Sequence, residues 1–590
     1  MSNPSPSGMG QQPLTDSYRN PSFSQEVRKR ERFNFVRSLG IFYGKINPRC
    51  VYALDLLAGM ENCPFDFTES NDCGGGIKMA QGMTGVMRVP IWVAVMVVVL
   101  YVLMLAAGCG NGNEGDSAAA GPTRGASVAI PTIEGPVSGG EGKPFIAATT
   151  FDLAQVGYSE AEYFISGTAA AYTNVGLLRT DGKWAAEAGH TAEYKTRILV
   201  YRPISSKKFN GTVLVEWFNV SGGLDAAPDW ISGHTELIRE GFAWVGVSAQ
   251  RVGVEGGNSV LGMPVMPLKT MDPERYGSLA HPGDSFSYDI FSQAAQAIRR
   301  PAGPNPLGGL HPESVIAVGE SQSAMRMVTY ANAVHPLADI YDGFLIHSRG
   351  GSGAPLSERP QSTILVPMTA QVRSDINVPV LTFETETDLT FLYYFPARQP
   401  DSERFRLWEV AGTAHADTYT VEFGFEDLGD SPDVANILLT TVPISGYECG
   451  QPINSGPQHF VLKAAIAALN EWVRYGRPPP TAPRLEISAG PPVVILRDVN
   501  GNALGGIRTP QLEVPVATLS GEGQSESLVC LIFGTTVPFD GAKLASLYAD
   551  HEAYVSAFNA ATDRAVQEGF ILPADAELMK AAAAASDIGS

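Results

Sequence analysis

The sequence predicts an α/β fold, with a mostly parallel central sheet that is covered by helices on both faces. The first observation is a series of short runs rich in Val, Ile, Leu, Phe and Trp, at 162–167, 196–202, 212–217, 243–248, 315–318, 343–347, 379–383 and 406–410. The second observation is that helical patterns separate several of these runs, at 229–240, 284–300, 323–334 and 460–475. Strands that alternate with helices are typical of parallel sheets, whose strands are buried on both faces.

The third observation is the motif Gly-Glu-Ser-Gln-Ser at 319–323, which directly follows one of the predicted strands. Small residues two positions before and after a serine allow a tight turn from strand to helix, called a nucleophile elbow. The usual second small residue is glycine, and here it is Ser323. The turn would expose Oγ of Ser321 at the carboxyl edge of the sheet, where α/β sheets bind ligands. We therefore predict that Ser321 is a nucleophile.

A serine nucleophile of this kind requires an acid and then a histidine farther along the chain. The predicted strand at 379–383 is followed by three carboxylates, Glu384, Glu386 and Asp388. Asp388 lies where the acid of such loops usually falls, and Glu386 is the alternative. His415 follows the next predicted strand and a glycine turn, which makes it the predicted general base.

The oxyanion of an acyl-transfer intermediate requires backbone N–H donors. One donor would be the N–H of Gln322, directly after the nucleophile. The other should come from the loop after the predicted strand at 212–217, where small residues let the backbone approach a ligand. The candidates in this loop are Asn219, Val220, Ser221 and Gly222.

A set of segments carries a resemblance to a known family: Val-Glu-Trp-Phe-Asn-Val-Ser-Gly-Gly at 215–223, Trp-Val-Gly-Val-Ser-Ala-Gln at 244–250, His-Pro-Gly-Asp-Ser-Phe-Ser-Tyr-Asp at 281–289, Gly-Glu-Ser-Gln-Ser at 319–323, Glu-Thr-Glu-Thr-Asp at 384–388 and Ala-Gly-Thr-Ala-His-Ala-Asp at 411–417. These segments resemble the bacterial "alpha/beta hydrolase domain" proteins, a branch of the α/β-hydrolase superfamily. The resemblance covers about 131–580. It implies the α/β-hydrolase fold and a serine-hydrolase triad, and it implies no particular substrate.

An uninterrupted apolar run extends from 89 to 107 and is long enough to span a bilayer as a helix. Arg88 precedes the run and acidic residues follow it, so the positive-inside rule places the rest of the chain outside the cytoplasm. The run ends in Leu-Ala-Ala-Gly-Cys, which resembles the lipobox of bacterial lipoproteins and predicts lipidation of Cys109. An uncleaved anchor helix is the alternative. The polar residues 110–130 would form a flexible tether.

The domain organisation follows from these features. The segment 1–78 is polar and has no sustained periodicity, and we interpret it as an artefact of start-site assignment, with a small cytoplasmic tail as the alternative. The segment 79–109 is the predicted signal or transmembrane segment. The hydrolase domain would occupy 131–590 and would end, from about 477, in a hairpin and Ala-rich helices. Asn500-Gly501 is the expected type I′ turn of that hairpin.

Composition and cysteine content exclude several classes of function. The net charge of −20 argues against nucleic acid as a partner, because phosphate binding requires clustered Lys and Arg. The sequence has no Cys-x-x-Cys pair, and neither a metal site nor a cofactor is expected. Cys449 and Cys530 are the only cysteines after Cys109, so we predict that they form a disulfide in an oxidising compartment.

The first expectation for function is a membrane-tethered, extracytoplasmic serine hydrolase, in the periplasm or on the cell surface, that acts on small carboxylic esters. A peptidase or amidase with the same triad is the second. A catalytically silent binding module with the same fold is the third, although the complete order of serine, acid and histidine speaks against it. The preference between ester and amide stays open, and so does the oligomeric state.

Overall fold

The protein is described by a computed structural model that covers residues 124–437, 439–440, 449–525, 527 and 529–590. A nine-stranded sheet forms its centre, with the strand order β1-β2-β3-β5-β4-β6-β7-β8-β9. The strands are β1 (Thr132–Glu134), β2 (Tyr158–Asn174), β3 (Ala186–Pro203), β4 (Thr212–Trp217), β5 (Ala243–Val247), β6 (Ser314–Glu320), β7 (Gly343–His347), β8 (Val380–Glu384) and β9 (Phe405–Glu409). The strands β5-β4-β6-β7-β8-β9 are parallel, whereas β1, β2 and β3 form an antiparallel edge.

Helices pack around the sheet in the described part of the chain. They are α1 (Pro228–Arg239), α2 (Arg251–Glu255), α3 (Leu268–Met271), α4 (Pro273–Tyr276), α5 (Ser287–Arg299), α6 (Gln322–Thr329), α7 (His335–Ala338), α8 (Glu386–Thr390), α9 (Gln458–Tyr475), α10 (Pro510–Glu513), α11 (Gly541–Leu547), α12 (His551–Gln567) and α13 (Pro573–Ala585). A π-helical turn, Tyr330–Val334, continues α6. The predicted α/β architecture, with a mostly parallel central sheet and helices on both faces, is confirmed.

The alternation of side chains along the strands produces two hydrophobic cores, one on each face of the sheet. In β4, Val213 and Val215 point into one core and Leu214 into the other, and all three are buried. Helices α5 and α6 cover the first core, and α1 and α9 cover the second. Because β4 and β6 are central and parallel, their carboxyl ends lie side by side at the edge of the sheet that carries the site.

The two antiparallel strands β2 and β3 are much longer than the predicted runs at 162–167 and 196–202. The predicted parts are mostly buried, and β2 also buries Ala169, Ala171 and Tyr172 beyond its predicted run, whereas most of the first half of β3 is exposed. These continuations consist mainly of small and polar residues, so they lack the apolar run by which a buried strand is recognised in a sequence.

The predicted turn at Asn500-Gly501 exists, but the strand pair expected around it does not. Only isolated bridges form there, such as the pair Arg497 and Ala503. Gly501 has a φ of +82° and Asn500 has no positive φ, whereas a type I′ turn requires positive φ at both central residues. The strand pair of the C-terminal extension is instead β10 (Ala517–Ser520) with β11 (Thr535–Pro538), which the sequence analysis did not predict.

Residues before the boundary expected at residue 131 already pack against the domain. Arg124 forms an ion pair with Asp342 at 2.9 Å, and the N–H of Gly125 donates to the carbonyl of Asp339 at 2.8 Å. The predicted segments 1–78 and 79–109, including the apolar run and Cys109, lie outside the described residues. Among the helices that are described, none combines the length and the apolar composition needed to cross a membrane.

Candidate active site

The turn between β6 and α6 has the geometry of a nucleophile elbow. Ser321 adopts φ 59° and ψ −120°, a strained conformation for a residue with a side chain. Its N–H donates to the carbonyl of His347 at 2.9 Å, which ties the elbow to β7. A Cβ at Gly319 would lie 3.1 Å from the backbone of Ser323, so the small residue there allows the close approach. Ser323 itself is buried, and its Oγ donates to the carbonyl of Phe218 at 3.2 Å.

Three predicted side chains are joined in series at the carboxyl edge of the sheet. Nε2 of His415 lies 2.8 Å from Oγ of Ser321, and Nδ1 of His415 lies 2.6 Å from Oδ1 of Asp388. Oδ2 of Asp388 accepts hydrogen bonds from both the N–H and the Oγ1 of Thr385, each at 2.7 Å. With one oxygen held by Thr385, the other oxygen of Asp388 is fixed toward the imidazole. This is the arrangement of a nucleophile, a base and an orienting acid.

The alternative acid, Glu386, does not contact His415. Its Oε1 accepts from the N–H of Gly412 at 2.6 Å, and its Oε2 accepts from the N–H of Gly521 at 3.0 Å and from Nη2 of Arg497 at 2.9 Å. Glu386 therefore links three separate parts of the chain. Glu384 is fully buried, and burial raises the pKa of its carboxyl well above the ordinary value. Of the three carboxylates, only Asp388 is placed to orient the histidine.

The charges around His415 favour its protonated form. Burial lowers the pKa of His415, but the carboxylates of Asp388 and Glu320 outweigh burial and raise it to about 9. Burial alone would raise the pKa of Asp388, but the charge of His415 and the hydrogen bonds from His415 and Thr385 lower it. Asp388 is therefore ionised at neutral pH and stabilises an imidazolium.

The loop after β4 lies beside the elbow. Some of its backbone N–H groups already donate hydrogen bonds within the protein, and others do not. The N–H of Asn219 donates to a carbonyl of the same loop at 2.9 Å, and the N–H of Ser221 donates to Oδ1 of Asn219 at 2.8 Å. Within the described residues, the N–H groups of Gln322, Val220 and Gly222 have no acceptor. These three are the donors left for an oxyanion, and the predicted donors Asn219 and Ser221 are committed elsewhere.

A family model for the alpha/beta hydrolase domain matches residues 133–581. This chain belongs to the alpha/beta hydrolase domain family. The resemblance seen in the sequence is thereby confirmed for the folded part of the chain. No curated protein sequence matches this alpha/beta hydrolase.

Solved structures with similarity to this alpha/beta hydrolase include a provisionally named dienelactone hydrolase from Klebsiella pneumoniae. The two share 12% sequence identity with a TM-score of 0.21, over 42% of this chain and 85% of the other. A chain from a study of two fungal esterases from Rhizomucor miehei is 12% identical with a TM-score of 0.25, over 52% of this chain and 85% of the other.

One residue of the site in this alpha/beta hydrolase was missed in the sequence analysis. Glu320 directly precedes the nucleophile, and its Oε1 lies 3.2 Å from Nε2 of His415. Its Oε2 accepts from Nδ2 of Asn219 at 2.9 Å. Burial raises the pKa of Glu320 to about 7, although the charges of His415 and His347 act in the opposite direction. Its place next to Ser321 was visible in the sequence, but the direction of its side chain was not.

A second histidine–carboxylate pair lies behind the elbow. Nδ1 of His347 lies 2.8 Å from Oδ1 of Asp229, and both residues are buried. Burial lowers the pKa of His347, but the hydrogen bond and charge of Asp229 outweigh it and raise the pKa. The two ring nitrogens of His347 are hydrogen-bonded to Asp229 and Gln458 and not to Oγ of Ser321. Among the described residues, no cluster of His, Cys, Asp and Glu could hold a metal ion.

The predicted pair Cys449 and Cys530 forms a disulfide, with the two Cα atoms 5.5 Å apart. The bond lies in a small apolar cluster with Ile453, Val529 and Phe533. This cluster reaches the histidine loop, because the N–H of Ala416 donates to the carbonyl of Ile532 at 3.1 Å. The disulfide cluster therefore packs against the chain next to His415.

Proposed function

We propose that the protein is a serine hydrolase that cleaves carboxylic esters through an acyl-enzyme on Ser321. The observation that supports this proposal best is the hydrogen-bonded series from Ser321 through His415 to Asp388, at 2.8 Å and 2.6 Å. A serine hydroxyl is a weak nucleophile unless a base accepts its proton during attack. An imidazole held by a buried carboxylate provides that base.

In the proposed reaction, Oγ of Ser321 attacks the ester carbonyl carbon while Nε2 of His415 accepts the hydroxyl proton. The N–H groups of Gln322 and Val220 would stabilise the negative oxygen of the tetrahedral intermediate. The imidazolium then gives its proton to the departing alkoxide, and the carbon–oxygen bond of the ester breaks. A water molecule, deprotonated by the same imidazole, hydrolyses the acyl-enzyme and regenerates the serine.

A fluorophosphonate probe tests the nucleophile, because it labels only activated serines. We expect the probe to label the wild-type protein and to leave Ser321→Ala unlabelled. His415→Ala should lose almost as much labelling, since triad residues act as a unit. His311→Ala is the matched control, because His311 is exposed and should retain full labelling. If a folded Ser321→Ala protein hydrolyses p-nitrophenyl butyrate as fast as the wild type, the proposal is wrong. If neither protein exceeds the rate in buffer, the binding-module alternative replaces it.

The ester preference requires a separate experiment. We expect turnover of p-nitrophenyl esters of graded acyl length and little turnover of peptide amides of similar size. The chain length at which kcat/KM falls would measure the depth of the acyl site. Efficient cleavage of amides, with poor cleavage of esters, would favour the peptidase or amidase alternative on the same triad.

We also propose that the enzyme is tethered to the membrane with its folded part outside the cytoplasm, through a lipid on Cys109 or through a helix formed by 89–107. The apolar run, Arg88 and the disulfide support this proposal, because disulfides persist in oxidising compartments. An alkaline phosphatase fusion after residue 130 should be active, and an inactive fusion would reverse the topology. Cys109→Ser should abolish labelling by a palmitate analogue, and labelling that persists would exclude Cys109 as the lipid site.

A further inference from the structure

Glu320 is a buried carboxylate whose two oxygens face two different parts of the site. Oε1 lies 3.2 Å from Nε2 of His415, and Oε2 accepts from the side-chain amide of Asn219 at 2.9 Å. The same amide also donates to the backbone carbonyl of Glu320 at 3.3 Å. Oδ1 of Asn219 in turn accepts from the N–H of Ser221 at 2.8 Å. One side chain is thus connected both to the base and to the loop that carries the oxyanion donors.

We propose that Glu320 is a positioning residue that sets the charge of His415 and at the same time holds the oxyanion loop against the elbow. The inference rests on the proposed function, because it assigns a role within the same reaction. Glu320 acts through His415 and Asn219, and it does not itself attack or protonate the substrate.

The geometry around Nε2 explains the effect on charge. Nε2 of His415 has two oxygen neighbours, Oγ of Ser321 at 2.8 Å and Oε1 of Glu320 at 3.2 Å. In the neutral imidazole that donates from Nδ1 to Asp388, the lone pair of Nε2 faces an ionised carboxylate, which is repulsive. Protonation of Nε2 replaces this repulsion by an attraction in a site with little water. The imidazolium formed during attack is therefore stabilised by two carboxylates, and the resting base stays protonated to a higher pH.

Other charged groups also act on Glu320. His415 and His347 favour its ionised form, whereas Asp229 and Asp388 oppose ionisation, and burial raises its pKa to about 7. His347 is in turn paired with Asp229, so its positive charge is partly balanced. Because Glu320 and His415 are in direct contact, they should titrate as a coupled pair with two apparent pKa values.

The test is the pH dependence of kcat/KM for p-nitrophenyl butyrate and of the rate of fluorophosphonate labelling. In Glu320→Gln the side-chain oxygen can still accept from Asn219, while the charge is lost. We expect the acidic limb of both profiles to move to lower pH by about one unit or more. The reason is that one of the two carboxylates that raise the pKa of His415 has lost its charge. Glu320→Asp retains the charge and should restore most of the wild-type position. The melting temperature of each variant is measured as a control, to show that the protein is folded under the assay conditions.

Each result decides the inference. A purely structural role would lower kcat in Glu320→Gln and leave the midpoint of the acidic limb unchanged, and that outcome overturns the proposal. The wild type provides a check that needs no variant, because its acidic limb should have a midpoint well above the ordinary histidine value of 6.5, toward 9. A wild-type midpoint at or below 6.5 also overturns the proposal. Failure of the proposed function would look different, since Ser321→Ala would then remain active or the wild type would not be labelled at all.

Discussion

Two neighbouring carboxylates, Asp388 and Glu386, should differ in how loss of charge affects activity. In Asp388→Asn, the amide oxygen can keep the hydrogen bonds from Thr385, but the amide nitrogen then faces Nδ1 of His415 as a donor. The imidazole must accept at Nδ1 and carry its proton on Nε2. In that tautomer it cannot take the proton of Ser321.

The size of the effect follows from this change of tautomer. The same substitution in the best-studied triad lowers kcat about 10⁴-fold, which corresponds to about 5.5 kcal/mol of activation free energy. We expect a loss of this order for Asp388→Asn. The melting temperature at neutral pH should also fall, because the two bonds to Thr385 remain but a protonated His415 loses the buried carboxylate beside its Nδ1.

Glu386→Gln should lower stability without a comparable loss of activity. Its oxygens accept from the N–H groups of Gly412 and Gly521 and from the guanidinium of Arg497. The NH₂ group of a glutamine cannot accept a hydrogen bond, so at least one of these donors would lose its partner. Breaking a buried ion pair on one side costs about 3–5 kcal/mol, and the loss here should not exceed this because Arg497 is partly exposed and keeps its ion pair with Glu522. The unfolding entropy of about 2.1 cal/mol/K per residue gives roughly 1 kcal/mol/K for a domain of this size, so the melting temperature should fall by no more than about 3–5 °C. The kcat per folded enzyme should stay within about tenfold, because Asp388 still orients His415.

Both variants are measured by kcat on p-nitrophenyl butyrate, normalised to the folded fraction, and by thermal melting under the same conditions. Normalisation to folded protein is essential because Glu386→Gln is expected to reduce its amount. If Glu386→Gln loses activity by orders of magnitude while Asp388→Asn stays active, the assignment of the acid is wrong and the alternative from the sequence is right.

Three further outcomes are expected. Replacing Cys449 and Cys530 by serine opens a loop with a sequence separation of 81. This should lower the free energy of unfolding by about 4–5 kcal/mol and the melting temperature by several degrees. An unchanged melting temperature, with and without reductant, would contradict this expectation. Gly412→Ala should destabilise the fold and reduce activity, because φ is +72° and a Cβ would lie 2.6 Å from Leu512; wild-type melting and turnover would refute it. The pKa of His415 is higher in the folded state than the ordinary 6.5, so its contribution to stability is present below that pH and is lost as pH rises through about 9. The melting temperature of the wild type should therefore fall more steeply over this range than that of His415→Ala, and equal slopes would exclude the histidine as the cause.

The central strands and the triad order were predictable because both leave local signals in the sequence. Buried parallel strands are continuous apolar runs, and each of the eight predicted runs overlaps a strand of the sheet, with at most one residue outside it. The residues of the site follow the ends of these strands, so Ser321, Asp388 and His415 could be proposed from chain order alone. Their catalytic roles remain predictions until the variants are measured.

The features that the sequence did not reveal depend on side-chain direction or on distant partners. The orientation of Glu320 depends on the strained turn at Ser321, which local patterns do not describe. The separation of Glu386 from Asp388 depends on Arg497 and Gly521, more than one hundred residues away. Polar contacts over such a separation leave no periodic pattern, because any donor at the right place would serve.

The contact between the C-terminal extension and α8, the helix that carries Asp388, has a consequence for incomplete chains. Oγ1 of Thr387 donates to the carbonyl of Gly521 at 2.6 Å and accepts from the N–H of His415 at 3.2 Å, and Glu386 accepts from the N–H of the same glycine at 3.0 Å. A growing polypeptide that already contains Ser321, Asp388 and His415 still lacks these partners. We expect a chain that ends before Gly521 to be inert as a hydrolase even after export, so that cleavage activity arises only in nearly complete molecules.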